Sequence, residues 1–204
     1  DATCDDWRAA VDADVSDLRA QGKQVWLVGH SMGCALAIDY CLRHPEAPIA
    51  GVVLIAPLLE VSQKRSPFVP PRRWFELGRR IWSPTVLVET SFPVDLHAPV
   101  PGLEEQRDLY MPMRTYEEMF KMVDAVRERA PDMGVPMLMV VAPADLVVDS
   151  AAAERYFGCW GSEEKQLVVF ERSGHVIPLD QERHRLVEVM DRFAREVRAG
   201  GRSP

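Results

Sequence analysis

The run VWLVGHSMGCALAIDY, residues 25–40, changes within a few positions from an apolar strand pattern to an alanine-containing helical pattern. At the joint stands a Gly-x-Ser-x-Gly motif, with the hydroxyl of Ser31 at its centre. A serine on such a turn stands clear of the backbone, and we expect glycines around it because side chains there would collide with the neighbouring strand and helix. A chance match has no reason to fall on a strand-to-helix boundary. The pattern predicts a nucleophile elbow, with the backbone N–H of Met32 as an oxyanion donor.

A serine is a weak nucleophile at neutral pH, so the elbow requires a histidine base and a carboxylate that orients it. Asp145 follows one predicted strand and His175 follows the next. Both therefore fall on loops at the carboxyl ends of strands, in the order Ser, Asp, His. Asp149 is the alternative acid, but it directly precedes a helical stretch, and N-capping explains its position. We predict that Ser31, Asp145 and His175 converge as a catalytic triad.

The remaining histidines have structural explanations. His30 is expected to point away from the tip of the elbow, His44 ends a predicted helix, and His184 lies on a charged helical face. His97 falls in a proline-rich segment, where nothing else in the sequence supports a substrate contact. We therefore predict no catalytic role for any of the four.

Strand patterns and helical patterns alternate along most of the chain. Strands are predicted at residues 24–28, 49–56, 135–141 and 166–170, and helices at residues 5–21, 31–44, 150–157 and 180–197. The uninterrupted apolar run IAGVVLIA is typical of a strand that is covered on both faces of a parallel sheet. This alternation predicts an α/β fold with a mostly parallel sheet and right-handed crossovers.

Residues 57 to about 114 interrupt the alternation. They contain nine of the sixteen prolines, many aromatic residues and little periodicity, which indicates an insertion rather than more sheet. Thr115 and Glu118 then form a capping-box pattern at the start of a helix with one apolar stripe. We interpret the whole segment as a small cap.

The predicted organisation is one core in two parts, residues 1–56 and 132–204, separated by a cap at residues 57–131. We expect the cap to lie over the serine and to supply an apolar acyl pocket, because a buried acyl chain needs apolar walls. The candidate substrate-binding wall residues are Phe68, Trp74, Phe75, Trp82, Met119 and Phe120.

The cap also carries an excess of positive charge. Residues 61–82 contain six basic side chains against the single acid Glu76, and aromatic residues are interleaved with them. The basic residues are Lys64, Arg65, Arg72, Arg73, Arg79 and Arg80. Such a segment can approach a lipid surface. The alternative is an ordinary solvated face whose aromatic rings pack onto the core.

Composition argues against several other classes of protein. The formal net charge of -7 disfavours a general nucleic-acid binder, which needs a basic surface. No run of about 18 apolar residues is present, so no membrane-spanning segment is predicted. The four cysteines are not spaced as a disulfide framework, since Cys34 and Cys41 fall two turns apart on one predicted helix. Reduced thiols and a cytoplasmic location are expected.

Three stretches, GHSMG, PADLVV and SGHVIPLDQER, together resemble the α/β-hydrolase carboxylesterases and monoacylglycerol lipases of bacteria. This resemblance implies that Ser31, Asp145 and His175 form the triad. It also implies that the substrates are esters of short-chain acids or monoacylglycerols, and that no metal or cofactor is needed. Epoxide hydrolases and haloalkane dehalogenases of this fold carry Asp at the elbow, so the serine argues against them. Proline iminopeptidases and thioesterases are left open.

Two departures from the family pattern affect this interpretation. Cys34 stands where the family often has another glycine, and we expect it to be a small buried residue. The family has further strands ahead of the elbow, including the loop that gives the second oxyanion N–H. We therefore expect a fragment, a truncated gene product or a chain completed by a second polypeptide, with the strand at residues 24–28 at a sheet edge. The alternative function is a non-catalytic or weakly active module that binds acyl ligands or a partner.

Overall fold

The computed structural model describes residues 2–66, 68–89, 93–103 and 108–200. Its helices are α1 (Cys4–Ala20), α2 (Met32–Arg43), α3 (Pro71–Ile81), α4 (Met113–Val126), α5 (Ser150–Cys159) and α6 (Arg183–Gly200). Its strands are β1 (Val25–His30), β2 (Ile49–Ile55), β3 (Leu87–Glu89), β4 (Tyr110–Pro112), β5 (Met137–Val141) and β6 (Lys165–Val169). No helix within these residues is long and apolar enough to cross a membrane. The predicted end points at residues 1 and 204 lie outside the described residues.

Four strands form a parallel sheet in the order β1-β2-β5-β6. At its centre Leu54 of β2 pairs with Met139 of β5, and every residue of β5 is buried. α6 packs on this sheet through Phe193, whose ring meets Trp26 edge-on at 6.0 Å between centroids. The predicted α/β fold with a mostly parallel sheet is confirmed. Because the strands are parallel, their carboxyl ends lie at one edge, where the loops that carry the predicted triad begin.

β1 lies at an edge of this sheet, as predicted. It pairs with β2 and with no other strand among the described residues. Val28 in the middle of β1 is 54 % exposed. The strand runs to His30, two residues further than predicted, and its carboxyl end therefore leads directly into Ser31.

Two helices between β2 and β5 differ from the sequence-based expectation. α3 lies in the segment predicted to have little regular structure, and it begins with Pro71, whose fixed φ suits the first helical position. α4 begins at Met113, so Thr115 lies inside the helix and the predicted capping box is wrong. The carboxylate of Glu118 instead accepts the backbone N–H of Cys4 at the start of α1, at 3.0 Å.

α4 packs with the core helices α1 and α2, and α3 of the predicted cap is attached to its outer side through Phe75 and Arg72. Met122, Val123 and Val126 are buried in the same apolar cluster as the central strands, and α4 contacts α1 and α2. The small antiparallel pair β3–β4 precedes it. We therefore propose that the cap ends at Pro112 and not at residue 131.

A charged network around Asp39 joins α1 to α2. Asp39 is 4 % exposed, and its carboxylate accepts hydrogen bonds from Arg8 and Arg43, each at 2.7 Å. Arg43 also donates to Asp12 at 2.8 Å. Burial by itself raises the pKa of Asp39, but the two guanidinium groups outweigh it and hold that pKa below its usual range. The network anchors α2, whose first residue carries the predicted oxyanion donor.

Asp39→Ala is expected to lower the free energy of unfolding by about 2 kcal/mol at pH 7, because both arginines lose a buried, charged acceptor. Chemical denaturation measures this. The folded-state pKa of Asp39 lies below the unfolded-state value, so its contribution is present above about pH 4 and is lost as the pH falls through the folded-state pKa.

The control is Asp191→Ala, which removes a carboxylate that pairs with the exposed Arg195. We expect it to cost less than about 1 kcal/mol. An equal loss of unfolding free energy in both variants would contradict the structural role of Asp39. The same conclusion would follow if Asp39→Ala were as much less stable than the natural chain at about pH 2 as it is at pH 7.

Candidate active site

Ser31 occupies a strained backbone conformation between β1 and α2. Its φ of 55° and ψ of -120° lie outside the regions that a residue with a side chain readily adopts. Hydrogen bonds hold it on both sides. The Ser31 N–H donates to the carbonyl of Ile55 at 3.0 Å, and the Leu58 N–H donates to the carbonyl of Ser31 at 3.2 Å. The end of β2 therefore supports the turn that presents the hydroxyl.

The two glycines of the motif have different surroundings. A Cβ at Gly29 would lie 2.5 Å from the backbone nitrogen of Cys34, so no larger residue fits there without a shift of the backbone. A Cβ at Gly33 would meet nothing within 4 Å. The prediction that a side chain would collide with its surroundings is therefore confirmed at Gly29 and wrong at Gly33.

The side chains of Ser31, His175 and Asp145 form a continuous hydrogen-bonded line. His175 Nε2 lies 3.0 Å from Ser31 Oγ, and His175 Nδ1 lies 2.8 Å from Asp145 Oδ2. Asp145 is fully buried and His175 is 8 % exposed. With the ring proton on Nδ1 donated to the carboxylate, Nε2 is free to accept the serine proton. This arrangement suits a general base next to a nucleophile.

The loop that carries Asp145 holds its carboxylate in place from several directions. Asp145 Oδ1 accepts the backbone N–H groups of Val147 at 2.7 Å and Val148 at 2.9 Å. The ammonium of Lys64 donates to the Asp145 carbonyl at 2.9 Å. The rival carboxylate, Asp149, caps α5 by accepting from Ala151 at 2.9 Å, as predicted.

His30 does not point away from the site, and that prediction is wrong. Its Nε2 lies 2.9 Å from the carbonyl oxygen of His175, to which it donates, and the two rings lie 4.9 Å apart. Burial lowers the pKa of His30, so the ring stays neutral at physiological pH. Because 145 residues separate the contact partners, no local pattern in the sequence indicates this bond.

The other three histidines have contacts that agree with structural roles. His44 lies 3.2 Å from a carboxylate oxygen of Asp12 and stacks on Tyr40. His97 contacts the carbonyl of Arg172, and His184 is exposed on α6.

The predicted oxyanion donor, the backbone N–H of Met32, lies in the first turn of α2. Met32 is the first helical residue, so its backbone N–H has no acceptor within the helix. Cys34, one position beyond the motif, is fully buried, and its thiol lies 3.4 Å from the carbonyl of Ile55. Burial raises the pKa of the Cys34 thiol, which therefore stays protonated and acts as a small buried residue.

The predicted pocket-wall residues are not gathered into one buried wall. Three of them are exposed, and Phe68 is the most exposed at 96 %. The other two exposed residues are Trp74 and Trp82. Phe75 packs on Phe120 with ring centroids 4.8 Å apart, and Met119 is partly buried against the main core. For Phe68, Trp74 and Trp82 the prediction is wrong, because these side chains face solvent.

A cleft of about 750 Å³ lies where α3, α4 and α5 meet the segment after β2. Phe120, Val123 and Tyr156 line it together with Leu58, whose N–H holds the carbonyl of Ser31. No triad residue is among the residues that line it. Phe120 is the only predicted wall residue in this lining.

The structure also brings Asp95 to the site, which the sequence did not indicate. Its carboxylate accepts the backbone N–H of His175 at 3.0 Å and that of Leu146 at 2.7 Å. An acid in a proline-rich, aperiodic segment gives no local signal of such a role. Only the fold places it between the two loops.

The fold and this geometry define an α/β hydrolase. The chain belongs to the family described as serine aminopeptidase, S33, whose model matches residues 1–182. It is 26 % identical over 180 residues to the phospholipase YtpA of Bacillus subtilis, covering 85 % of this chain and 68 % of that protein.

Solved structures with the same fold include enzymes that act on lipids. One of the metagenome-derived lipolytic enzymes LipS and LipT matches with a TM-score of 0.80 at 24 % identity, covering 96 % of this chain and 74 % of the other. The monoacylglycerol lipase of Paleococcus ferrophilus matches with a TM-score of 0.76 at 20 % identity, over 95 % of this chain and 76 % of the other. A soluble variant of the Saccharomyces cerevisiae monoglyceride lipase matches with a TM-score of 0.75 at 17 % identity, over 95 % and 68 %.

Gly29→Ala is expected to lower the free energy of unfolding by about 3 kcal/mol or more, because the added methyl group overlaps the backbone of α2. Gly33→Ala is the matched control, since its methyl group enters open space and alanine favours a helix. We expect it to change stability by less than about 1 kcal/mol. Thermal unfolding compares the two. Similar destabilisation by both substitutions would contradict the observed elbow.

Proposed function

We propose that this chain is a serine ester hydrolase that cleaves carboxylic esters, either short-chain esters or monoacylglycerols, through an acyl-enzyme on Ser31. The observation that carries the proposal is the hydrogen-bonded line from Ser31 through His175 to Asp145. The phospholipase and the monoacylglycerol lipases among the similar proteins support a lipid ester as the substrate class.

In the proposed reaction His175 Nε2 takes the proton of Ser31 Oγ while that oxygen attacks the ester carbonyl carbon. The carbonyl oxygen becomes an oxyanion, which the backbone N–H of Met32 stabilises. The protonated His175 then gives its proton to the departing alcohol, and the acyl group stays on Ser31. Water, deprotonated by His175, attacks the acyl-enzyme and releases the acid, which restores the serine.

The surroundings of His175 support this cycle. Asp145 is fully buried, so its charge stabilises the imidazolium in a region from which water is excluded. The neutral ring of His30 lies beside that of His175, so a second positive charge is not present next to it. The base can therefore gain a proton without a competing cation at its side.

Peptidase and thioesterase activities use the same serine chemistry and are the alternative functions. A panel of p-nitrophenyl butyrate, a monoacylglycerol, an acyl thioester and a proline amide separates them by kcat/KM. Ester turnover at least tenfold above the amide supports the proposal, and preferred cleavage of the proline amide contradicts it. Absence of all turnover, together with unlabelled Ser31, supports the alternative of a non-catalytic acyl-binding module.

Ser31→Ala is expected to lower kcat for p-nitrophenyl butyrate by about three orders of magnitude or more, because the nucleophile is lost. Fluorophosphonate labelling of the chain should disappear with it. Ser16→Ala, an exposed position on α1, is the matched control and should leave both readouts unchanged. Undiminished turnover by Ser31→Ala, with its circular dichroism spectrum unaltered, would refute the proposed mechanism.

We further propose that the outer face of α3 rests on an anionic lipid surface, from which the hydrolase draws its substrate. Trp74, Leu77 and Ile81 follow one another at helical spacing and are 56 %, 50 % and 70 % exposed. Arg73 and Arg80 lie two turns apart beside this stripe, and no carboxylate among the described residues pairs with either. A partly exposed apolar stripe flanked by arginines suits the interface of an anionic bilayer.

The opposite side of α3 is attached to the protein. Arg72 pairs with Asp124 of α4, and its guanidinium lies 5.2 Å from the centre of the Phe120 ring. Phe75 packs on the same ring. The helix is therefore oriented by α4 so that its apolar stripe and Arg80 face outward, while the exposed Arg73 also lines the cleft between α3, α4 and α5. Since the whole chain carries a net charge of -7, the positive charge of this face is local.

Vesicle sedimentation tests this surface, using Ser31→Ala protein so that lipid turnover does not interfere. Arg73→Gln with Arg80→Gln should weaken binding to phosphatidylglycerol-containing vesicles about 30-fold, at about 1 kcal/mol per arginine. Leu77→Ser with Ile81→Ser should weaken it on all vesicles. Arg192→Gln with Arg198→Gln on α6 removes the same charge elsewhere and is the control.

If the two substitutions on α6 weakened vesicle binding as much as those on α3, binding would depend only on the net charge of the chain, and the proposal would be wrong. The natural chain could instead form a dimer and bind no vesicles. If Leu77→Ser then abolished the dimer, the apolar stripe would be the contact surface for a second copy of the chain, and the proposal would be wrong. Vesicle binding that does not decline between 50 mM and 500 mM salt would contradict the role of the arginines.

A further inference from the structure

Asp95 connects the two loops that carry the acid and the base of the proposed triad. One atom, Asp95 Oδ2, accepts the backbone N–H of Leu146 at 2.7 Å and that of His175 at 3.0 Å. Leu146 directly follows Asp145. The shared oxygen therefore sets the distance between the backbones of the acid loop and the histidine loop, independently of the bond between their side chains.

The backbone of Asp95 adds to this connection. Its carbonyl accepts the N–H of Val176 at 3.1 Å. Gly174 lies so close that a Cβ there would come within 2.8 Å of both the carbonyl oxygen and Oδ1 of Asp95. The side chain of Asp95 is 5 % exposed, so water does not compete for these bonds. Asp95 thus holds the histidine loop in three ways: it accepts the N–H of His175, it accepts the N–H of Val176, and it packs closely against Gly174.

A second carboxylate fixes the segment in which Asp95 lies. Asp180 is fully buried and accepts the N–H groups of His97 at 3.0 Å and Ala98 at 2.8 Å. It also accepts the N–H of Gly174 at 2.7 Å. The segment at residues 93–98 is therefore a fixed support for the histidine loop and not a loose connection.

We propose that Asp95 is a positioning residue, which keeps His175 within reach of Ser31 by holding the acid loop and the histidine loop at a fixed separation. Displacement of a catalytic group by about 1 Å can cost about a hundredfold in rate. Loss of the shared acceptor frees both backbones at once, whereas substrate binding is left intact. Asp95 touches neither substrate nor reacting atoms in this role.

This inference rests on the proposed esterase activity, so the experiment includes a readout that needs no activity. Amide hydrogen exchange of His175 and Leu146, followed by NMR, reports directly on the two N–H groups. Asp95→Ala should accelerate exchange at both amides by about tenfold or more. Unaltered exchange would show that the bonds do not hold these loops, whether or not the chain cleaves esters.

Kinetics on p-nitrophenyl butyrate test the consequence. Asp95→Ala should lower kcat about 10- to 100-fold per folded molecule, with KM changed less than about threefold. Asp95→Asn keeps a carbonyl oxygen that can accept both N–H groups, and its kcat should return to within about fivefold of the natural chain. Should Asp95→Ala not fold, Asp95→Ser is the second variant, because its hydroxyl is too short to reach both loops.

Glu118→Ala is the matched control, since it removes another buried carboxylate, which accepts the N–H of Cys4 and contacts neither loop. It should lower the melting temperature and leave kcat per folded molecule unchanged. Accelerated exchange in Asp95→Ala with an unchanged kcat would overturn the positioning role and leave the esterase proposal intact. An Asp95→Asn variant as slow as Asp95→Ala would overturn it too, because the charge and not the acceptor would then matter.

Discussion

The strained backbone of Ser31 depends on the end of β2, and the rest of the site depends on that support. The Ser31 N–H binds the last carbonyl of β2, and its carbonyl accepts the N–H of Leu58. Between these partners Ala56 also has a positive φ, of 45°, while its N–H donates to Val140 of β5 at 2.8 Å. The elbow is therefore tied through β2 to the sheet interior. A strand that is buried on both sides can hold two unfavourable residues where an isolated turn could not.

Carboxylates that accept backbone N–H groups position the other two members of the proposed triad. Burial raises the pKa of Asp180, but bonds from the backbone N–H groups of Gly174 and His97 outweigh it and lower that pKa, so the group stays ionised at neutral pH. Glu182 holds the Arg172 N–H in the same way, at 2.9 Å. His175 itself lies outside any strand or helix, and only the short 3-10 helix Ile177–Leu179 follows it in this loop. Buried acceptors replace the ladder that a strand would supply.

Local patterns were sufficient to predict the elements that define the fold and the three proposed catalytic side chains. Ser31 stands directly after a recognisable strand, and Asp145 and His175 lie on the loops that follow two others, so their positions follow from the parallel sheet. Two contacts of His175 could not be predicted in this way. His30, which contacts its carbonyl, lies 145 residues away in the sequence, and Asp95, which accepts its N–H, lies 80 residues away. A single sequence carries no signal for such pairs. Gly33 shows the opposite error. The motif predicts that a side chain at this position would collide with its surroundings, but the space beside the first turn of α2 is open.

The attachments of the cap limit how it can move. Val61 bridges to Val148 on the loop of Asp145, Arg72 pairs with Asp124 on α4, and Asp95 binds both loops of the proposed triad. A rigid swing of the whole segment would break all three, and the bond to Asp95 lies closest to the base. The outer face of α3 has no such bond, so a force applied there by a lipid surface would reach the active site through Arg72 and α4 first. Any opening that leaves the proposed triad intact must therefore keep the segment at residues 93–98 in place and move α3 relative to it.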